Sequence, residues 1–147
     1  LKLKTYLGQM FKEKIILTPI KRIKVKGGDI IHNIRKTDPG FEGFGETYYS
    51  FINYGEIKGW KKHLQMTMNI TCPLGKVKFI FSENLIDFKE ILLDQENLYR
   101  ITIKPDIWFS FQGNCNPFSL ITNVSNLIHD DKEVERKDLS SVNYHWN

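Results

Sequence analysis

Lys61 and His63 stand two residues apart in a run that alternates polar and apolar residues from Lys61 to Cys72. A histidine titrates near neutrality and can take or give a proton unaided. A lysine becomes a base only when burial or a neighbouring cation lowers its pKa. Strict alternation predicts a β-strand, in which residues i and i+2 share a face. Lys61, His63, Gln65, Thr67, Asn69 and Thr71 then line one face, and Lys62, Leu64, Met66, Met68, Ile70 and Cys72 the other. The apolar face reads as core. The polar face is either the wet side of an antiparallel sheet or the lining of a barrel mouth where polar groups converge on a ligand. Alternation admits both. Gly55 and Gly59 bracket the entry to the strand, where glycine lets backbone and ligand approach closely. Tyr48, Tyr49, Tyr54, Trp60 and Trp108 offer flat stacking surfaces, or equally core or interface aromatics.

The elements that must hold these residues read as strands and turns. Residues 15–30 give two short strands around a Gly27-Gly28-Asp29 turn. Residues 46–60 are rich in aromatic and β-favouring types. Pro73-Leu74-Gly75 ends the alternating strand. Further strands follow in "KVKFIF", with Val77, Phe79 and Phe81 on one side, then in "FKEILL", "YRITI", "WFSF" and "FSLITNVSN". Helix is expected only at the ends: Leu3, Tyr6, Leu7, Met10 and Phe11 have helical spacing, and the charged tail from His129 to Ser141 has room for a short helix. Evenly spaced short strands predict an all-β sandwich or barrel, with one domain over residues 1–147.

The chain has 147 residues, 41% hydrophobic and 26% charged, which suits a globular protein with a real core. No apolar run approaches the roughly 18 residues of a membrane span, and no signal peptide is visible from Leu1. Cys72 and Cys115 lack metal-ligand spacing and are expected to be reduced thiols. These features predict a cytoplasmic location and no membrane partner. The net charge of +4 favours an anionic partner. The basic residues are dispersed after the first 26 positions and form no nucleic-acid module, so the expected partner is a small phosphorylated molecule.

The stretch "GEIKGWKKHLQMTMNITCPLGKVKFIF" resembles the central motif of the dTDP-4-dehydrorhamnose 3,5-epimerase family and the related sugar 3,4-ketoisomerases. That motif is a glycine, Arg-Gly-x-His, and later Cys-x-x-Gly before another strand. Gly55, Lys58-Gly59 and Cys72 to Gly75 take these places. The ketoisomerase branch writes Arg-Gly-x-His-x-His, and Lys61 and His63 fill the two histidine positions without a gap. Pro105 to Phe111 resembles the family's Pro-Gly-x-x-His-x-Phe segment, and residues 129–146 resemble its acidic tail. The resemblance spans roughly Ile16 to Trp146. It implies a cupin-type β-jelly roll of two packed antiparallel sheets, a homodimer, and a nucleotide-sugar ligand. The implied function is epimerase or ketoisomerase action on a nucleotide-linked 4-keto-6-deoxy sugar in surface polysaccharide synthesis.

The chain departs from the family where the chemistry is done. The histidine base of the epimerases becomes Lys61, their tyrosine acid falls near Thr122, and the histidine of the Pro105 segment becomes Phe109. His63 is therefore the first acid–base candidate and Lys61 the second. Lys58, in place of arginine, is expected to meet a phosphate or the sugar carbonyl as a point charge. Tyr49, Trp60 and Trp108 are candidates to stack on base or sugar, and Glu46 to orient a catalytic group. Some cupins hold a metal with His-x-His, Glu and a later His; Lys61 and Phe109 break that set, so neither metal nor cofactor is expected. Loss of the usual dyad also supports an alternative, a catalytically silent cupin that binds a nucleotide sugar or a partner enzyme.

Overall fold

The computed structural model describes residues 14–147. The helix expected around Leu3 to Phe11 lies outside them. Twelve strands form two five-stranded antiparallel sheets and a small two-stranded one among the described residues. They are β1 (Ile15–Pro19), β2 (Arg22–Ile23), β3 (Ile30–Ile31), β4 (Glu46–Asn53), β5 (Ile57–His63), β6 (Met68–Leu74), β7 (Lys76–Ser82), β8 (Lys89–Asp94), β9 (Tyr99–Ile103), β10 (Trp108–Gly113), β11 (Phe118–Ser125) and β12 (Val134–Arg136). One large sheet runs β1-β9-β6-β11-β4 and the other β12-β5-β10-β7-β8. The strands β2 and β3 pair with each other.

Period-two alternation fixes which side chains enter the space between the sheets. Ile70 and Cys72 of β6, Phe79 and Phe81 of β7, Ile101 and Ile103 of β9, Phe109 and Phe111 of β10 and Ile121 of β11 make one continuous apolar core. The rings stack across strands, with Phe79 and Phe111 centroids 5.1 Å apart. Both outer faces are covered in part. A segment from Asn33 to Glu42 straps the outside of the first sheet. There Asn69 Nδ2 donates to the Gly40 carbonyl at 3.0 Å, and Thr71 Oγ1 donates to Asn33 Oδ1 at 3.0 Å. Gly40 has φ +84°, and a Cβ on it would meet Thr102 Oγ1 at 2.2 Å, so only glycine lets the strap lie this close. The C-terminal tail covers the second sheet, where Tyr144 and Trp146 pack on Trp60 and Phe88.

The alternating run is not one strand. It is β5 and β6, which lie in different sheets, joined by a corner at residues 64–67. Alternation continues through the corner, but changing sheets exchanges inside for outside. Lys61 and His63 of β5 face the interior, while Asn69 and Thr71 of β6 face the strap. Leu64, expected in the core, sits at the corner and is 39% exposed; Met66, Met68 and Ile70 are buried as expected. The described helical segments are lone 3-10 turns, Asp131–Glu133 and Leu139–Ser141, and not a regular C-terminal helix.

Candidate active site

His63 closes β5 on the inner face, 7% exposed, with its ring stacked on Phe109 at 6.0 Å between centroids. Its Nδ1 donates to Glu133 Oε1. Glu133 comes from the 3-10 turn that leads into β12, and the pairing of Val134 with His63 brings it there. The other carboxylate oxygen accepts from the backbone amides of Gln65 and Met66, each at 3.1 Å. The corner between the sheets thus holds the carboxylate, and the carboxylate fixes the imidazole tautomer, leaving Nε2 as the basic nitrogen. Burial pushes the His63 pKa below its ordinary value; the Glu133 bond and charge oppose it, while the Lys61 charge adds to the fall. Burial works against the Glu133 carboxylate, but the bonds from His63, Gln65 and Met66 outweigh it and hold its pKa low. The pair at neutral pH is a neutral imidazole beside a carboxylate, the form a general base requires.

Lys61 lies on the same wall, paired in register with Phe109. Its pKa is lowered, first by burial and then by the charges of Arg136 and Lys58. Lys58 joins this wall through a bulge. Phe109 pairs with Lys61 and Ser110 with Gly59, so Trp60 is the extra residue. Gly59 has φ +128°, and a Cβ there would meet Ser110 Oγ at 2.7 Å. Lys58 therefore pairs with Phe111 on the inner side, and its Nζ donates to Ser50 Oγ at 3.0 Å and to the Phe51 carbonyl at 2.8 Å. It bridges the two sheets at the mouth, and its expected contact with a ligand competes with those bonds.

The aromatic candidates do not join this wall. Trp60 is fully buried on the outer face of its sheet, among Phe88, Tyr144 and Trp146. Trp108 shares that outer face, beneath the ammonium groups of Lys62 and Lys137. Tyr49 is 71% exposed and points outward from β4, because its register partner Thr122 bonds Thr71 on the strap side. The bulge and strand parity thus place Trp60 away from His63, where it was expected close by, and put Tyr49 and Trp108 on outer faces as well. Glu46 lies on the inward parity of β4, at the rim.

Strand parity also turns inward Asn123, which has no role in the sequence analysis, and Tyr48, which stands there only among the stacking aromatics. Thr122, placed at the tyrosine position, faces the strap; its neighbour Asn123 faces the interior, paired with Ile70 on one side and Tyr48 on the other. Tyr48 sits at the rim, 44% exposed; partial burial raises its phenol above the ordinary pKa, the adjacent Asn123 amide opposes this, and the Glu46 charge adds to it. Tyr48, Asn123 and Glu133 all lie within the Ile16 to Trp146 span of the resemblance, but only the register of β4 with β11 and of β12 with β5 points them inward. Among the described residues no three His, Cys, Asp or Glu side chains come together as a metal set, and no helix is long and apolar enough to cross a membrane.

Two antiparallel sheets rolled around a core, with an ionisable cluster on one inner wall, define a cupin-type protein. No family model matches the chain, and no curated protein matches it. Solved structures do. A dTDP-sugar isomerase from Desulfovibrio desulfuricans G20 is 25% identical over 90% of each chain, with a TM-score of 0.83. A sugar 3,4-ketoisomerase from Thermoanaerobacterium thermosaccharolyticum, in complex with TDP, is 19% identical over 86% of this chain and 90% of its own, with a TM-score of 0.74. A dTDP-6-deoxy-D-glucose-3,5-epimerase from Legionella pneumophila, in complex with dTDP-4-keto-L-rhamnose, is 11% identical over 83% of this chain and 71% of its own, with a TM-score of 0.71. The chain has the cupin fold of these sugar isomerases and epimerases and is consistent with a divergent member of their group.

Proposed function

We propose that the protein isomerises a nucleotide-linked 4-keto-6-deoxy sugar, as an epimerase or a ketoisomerase, with His63 as the proton-transfer residue. The observation that carries this reading is the buried His63–Glu133 pair on an inner wall beside Lys61, in a fold shared with dTDP-sugar isomerases. His63 Nε2 removes the proton from the carbon next to the ketone. The C–H electron pair forms the carbon–carbon double bond of an enediolate, and negative charge moves onto the former ketone oxygen. Cationic Lys61 stabilises that charge. Return of the proton from the same imidazole to the former carbonyl carbon, with the proton of the neighbouring hydroxyl passing to the former ketone oxygen as the new carbonyl forms, gives ketoisomerisation. Delivery of the Tyr48 phenol's own proton from the opposite wall to the carbon that lost its hydrogen, the abstracted proton staying on His63 until both groups exchange with water, gives epimerisation.

The role of Lys61 is thereby revised from reserve base to cation, because a single imidazole suffices as base. A site with Lys58, Lys61 and Arg136 near its mouth suits a diphosphate. The protein acts as a homodimer in the cytoplasm, in the synthesis of surface polysaccharide. Titration with thymidine diphosphate, then NMR of TDP-4-keto-6-deoxyglucose in D2O, tests the reading. Deuterium incorporation beside the ketone supports it, and the configuration of the product separates ketoisomerase from epimerase. Binding without exchange at any carbon leaves a silent sugar-nucleotide binder and overturns catalysis.

A further inference from the structure

Asn123 is 1% exposed, and among the described residues neither its Oδ1 nor its Nδ2 has a partner of full hydrogen-bond geometry, although the Tyr48 phenol, its partner in register, lies near enough for the amide to lower the phenol's pKa. An amide left open in a core is destabilising, and buried amides are normally satisfied. Two other amides on the same sheet's side are satisfied at both ends. Asn69 donates to the Gly40 carbonyl and accepts from Thr102 Oγ1 at 2.7 Å. Asn33 donates to Thr122 Oγ1 at 3.3 Å and accepts from Thr71. Among the described residues the other unpaired buried side-chain atoms are Trp60 Nε1, Arg100 Nε and Gln112 Oε1. Each is a single atom, and each belongs to a residue on an outer face of its sheet. Asn123 alone among these has both ends open and faces the interior, in the row of Ile121 and beside Tyr48.

We propose that Asn123 reads the reacting edge of the sugar, its Nδ2 donating to the ketone oxygen and its Oδ1 accepting from the hydroxyl on the neighbouring carbon. This rests on the nucleotide-sugar reading above and extends it. A side-chain amide carries one acceptor and one donor group side by side. An α-hydroxyketone carries the complementary pair on adjacent carbons. A carbonyl flanked by a deoxy carbon fills only one end of the amide, and a diphosphate, which only accepts, leaves Oδ1 open. Asn123 is a positioning residue that selects the substrate and holds the two oxygens while His63 moves the proton.

The test compares the affinities of thymidine diphosphate and TDP-4-keto-6-deoxyglucose by calorimetry, with kcat/KM and thermal stability, for wild type, Asn123→Leu and Asn123→Asp. The proposal expects three results together. Thymidine diphosphate binds both variants as it binds wild type. The extra affinity contributed by the sugar disappears in Asn123→Leu, with kcat/KM down about a hundredfold or more, and is partly kept in Asn123→Asp, which retains an acceptor. Thermal stability of Asn123→Leu equals or exceeds wild type, because no internal hydrogen bond is lost. Asn123→Leu that keeps the sugar-dependent affinity, or that is destabilised or unfolded, overturns the proposal and makes the amide structural. Wild type that binds the sugar nucleotide no better than thymidine diphosphate, or binds neither, overturns the nucleotide-sugar reading itself, a result visible before any variant is made.

Discussion

At the scale of single residues, the His63–Glu133 pair links chemistry to pH. The Glu133 bond is the main cause holding the His63 pKa up against burial. Glu133→Gln removes the charge, so the acid limb of kcat/KM moves to lower pH and kcat falls by about tenfold or more. A pH–rate profile of the variant checks this; an unmoved limb assigns it to another group. The same shift bears on stability. His63 in the fold titrates below its ordinary 6.5, so between that value and its folded pKa the unfolded chain binds more protons. Stability is full above about pH 6.5 and is lost as pH falls through that window. Thermal melts from pH 8 to 5 show the loss, and His63→Gln flattens its slope below pH 6.5.

At the scale of elements, the strap over the first sheet is held by Arg100, which is 1% exposed. Its Nη1 donates to the Asn33 carbonyl at 2.9 Å and reaches Asp38 at 3.4 Å, and its Nη2 donates to the Pro39 carbonyl at 2.9 Å. Arg100→Ala leaves buried carbonyls unpaired and costs about 3 kcal/mol in urea unfolding; a loss below about 1 kcal/mol makes the strap independent of it. Much of this scale was legible in the sequence. Val77, Phe79 and Phe81 share a core face as their spacing requires, and Lys61 and His63 share an inner wall. What was not legible is what depends on partners far along the chain. Nothing local says that the strand turns a corner at Leu64, that a bulge sends Trp60 outward and Lys58 inward, or that Glu133 returns seventy residues later to meet His63. The tyrosine position was placed at Thr122, one residue from the inward-facing Asn123, and a one-residue shift reverses every side chain of a strand.

At the scale of the whole molecule, β4 ends its sheet and presents Tyr49 and Phe51 at 71% and 58% exposure, with Phe51 edge-on to Phe118 at 5.4 Å. An exposed aromatic edge strand of this kind is ordinarily covered. The proposed homodimer covers it, so sedimentation of the Tyr49→Lys, Phe51→Lys double variant gives a monomer where wild type gives a dimer. A monomeric wild type at high micromolar concentration contradicts that assembly. The central claim is that His63 moves a proton beside a sugar ketone. Its most direct test is deuterium uptake from D2O into TDP-4-keto-6-deoxyglucose, followed by NMR with wild type and His63→Ala. Exchange by wild type, reduced about a hundredfold to ten-thousandfold in the variant while thymidine diphosphate still binds, is the predicted result. Equal exchange by both proteins, or none by wild type, contradicts it.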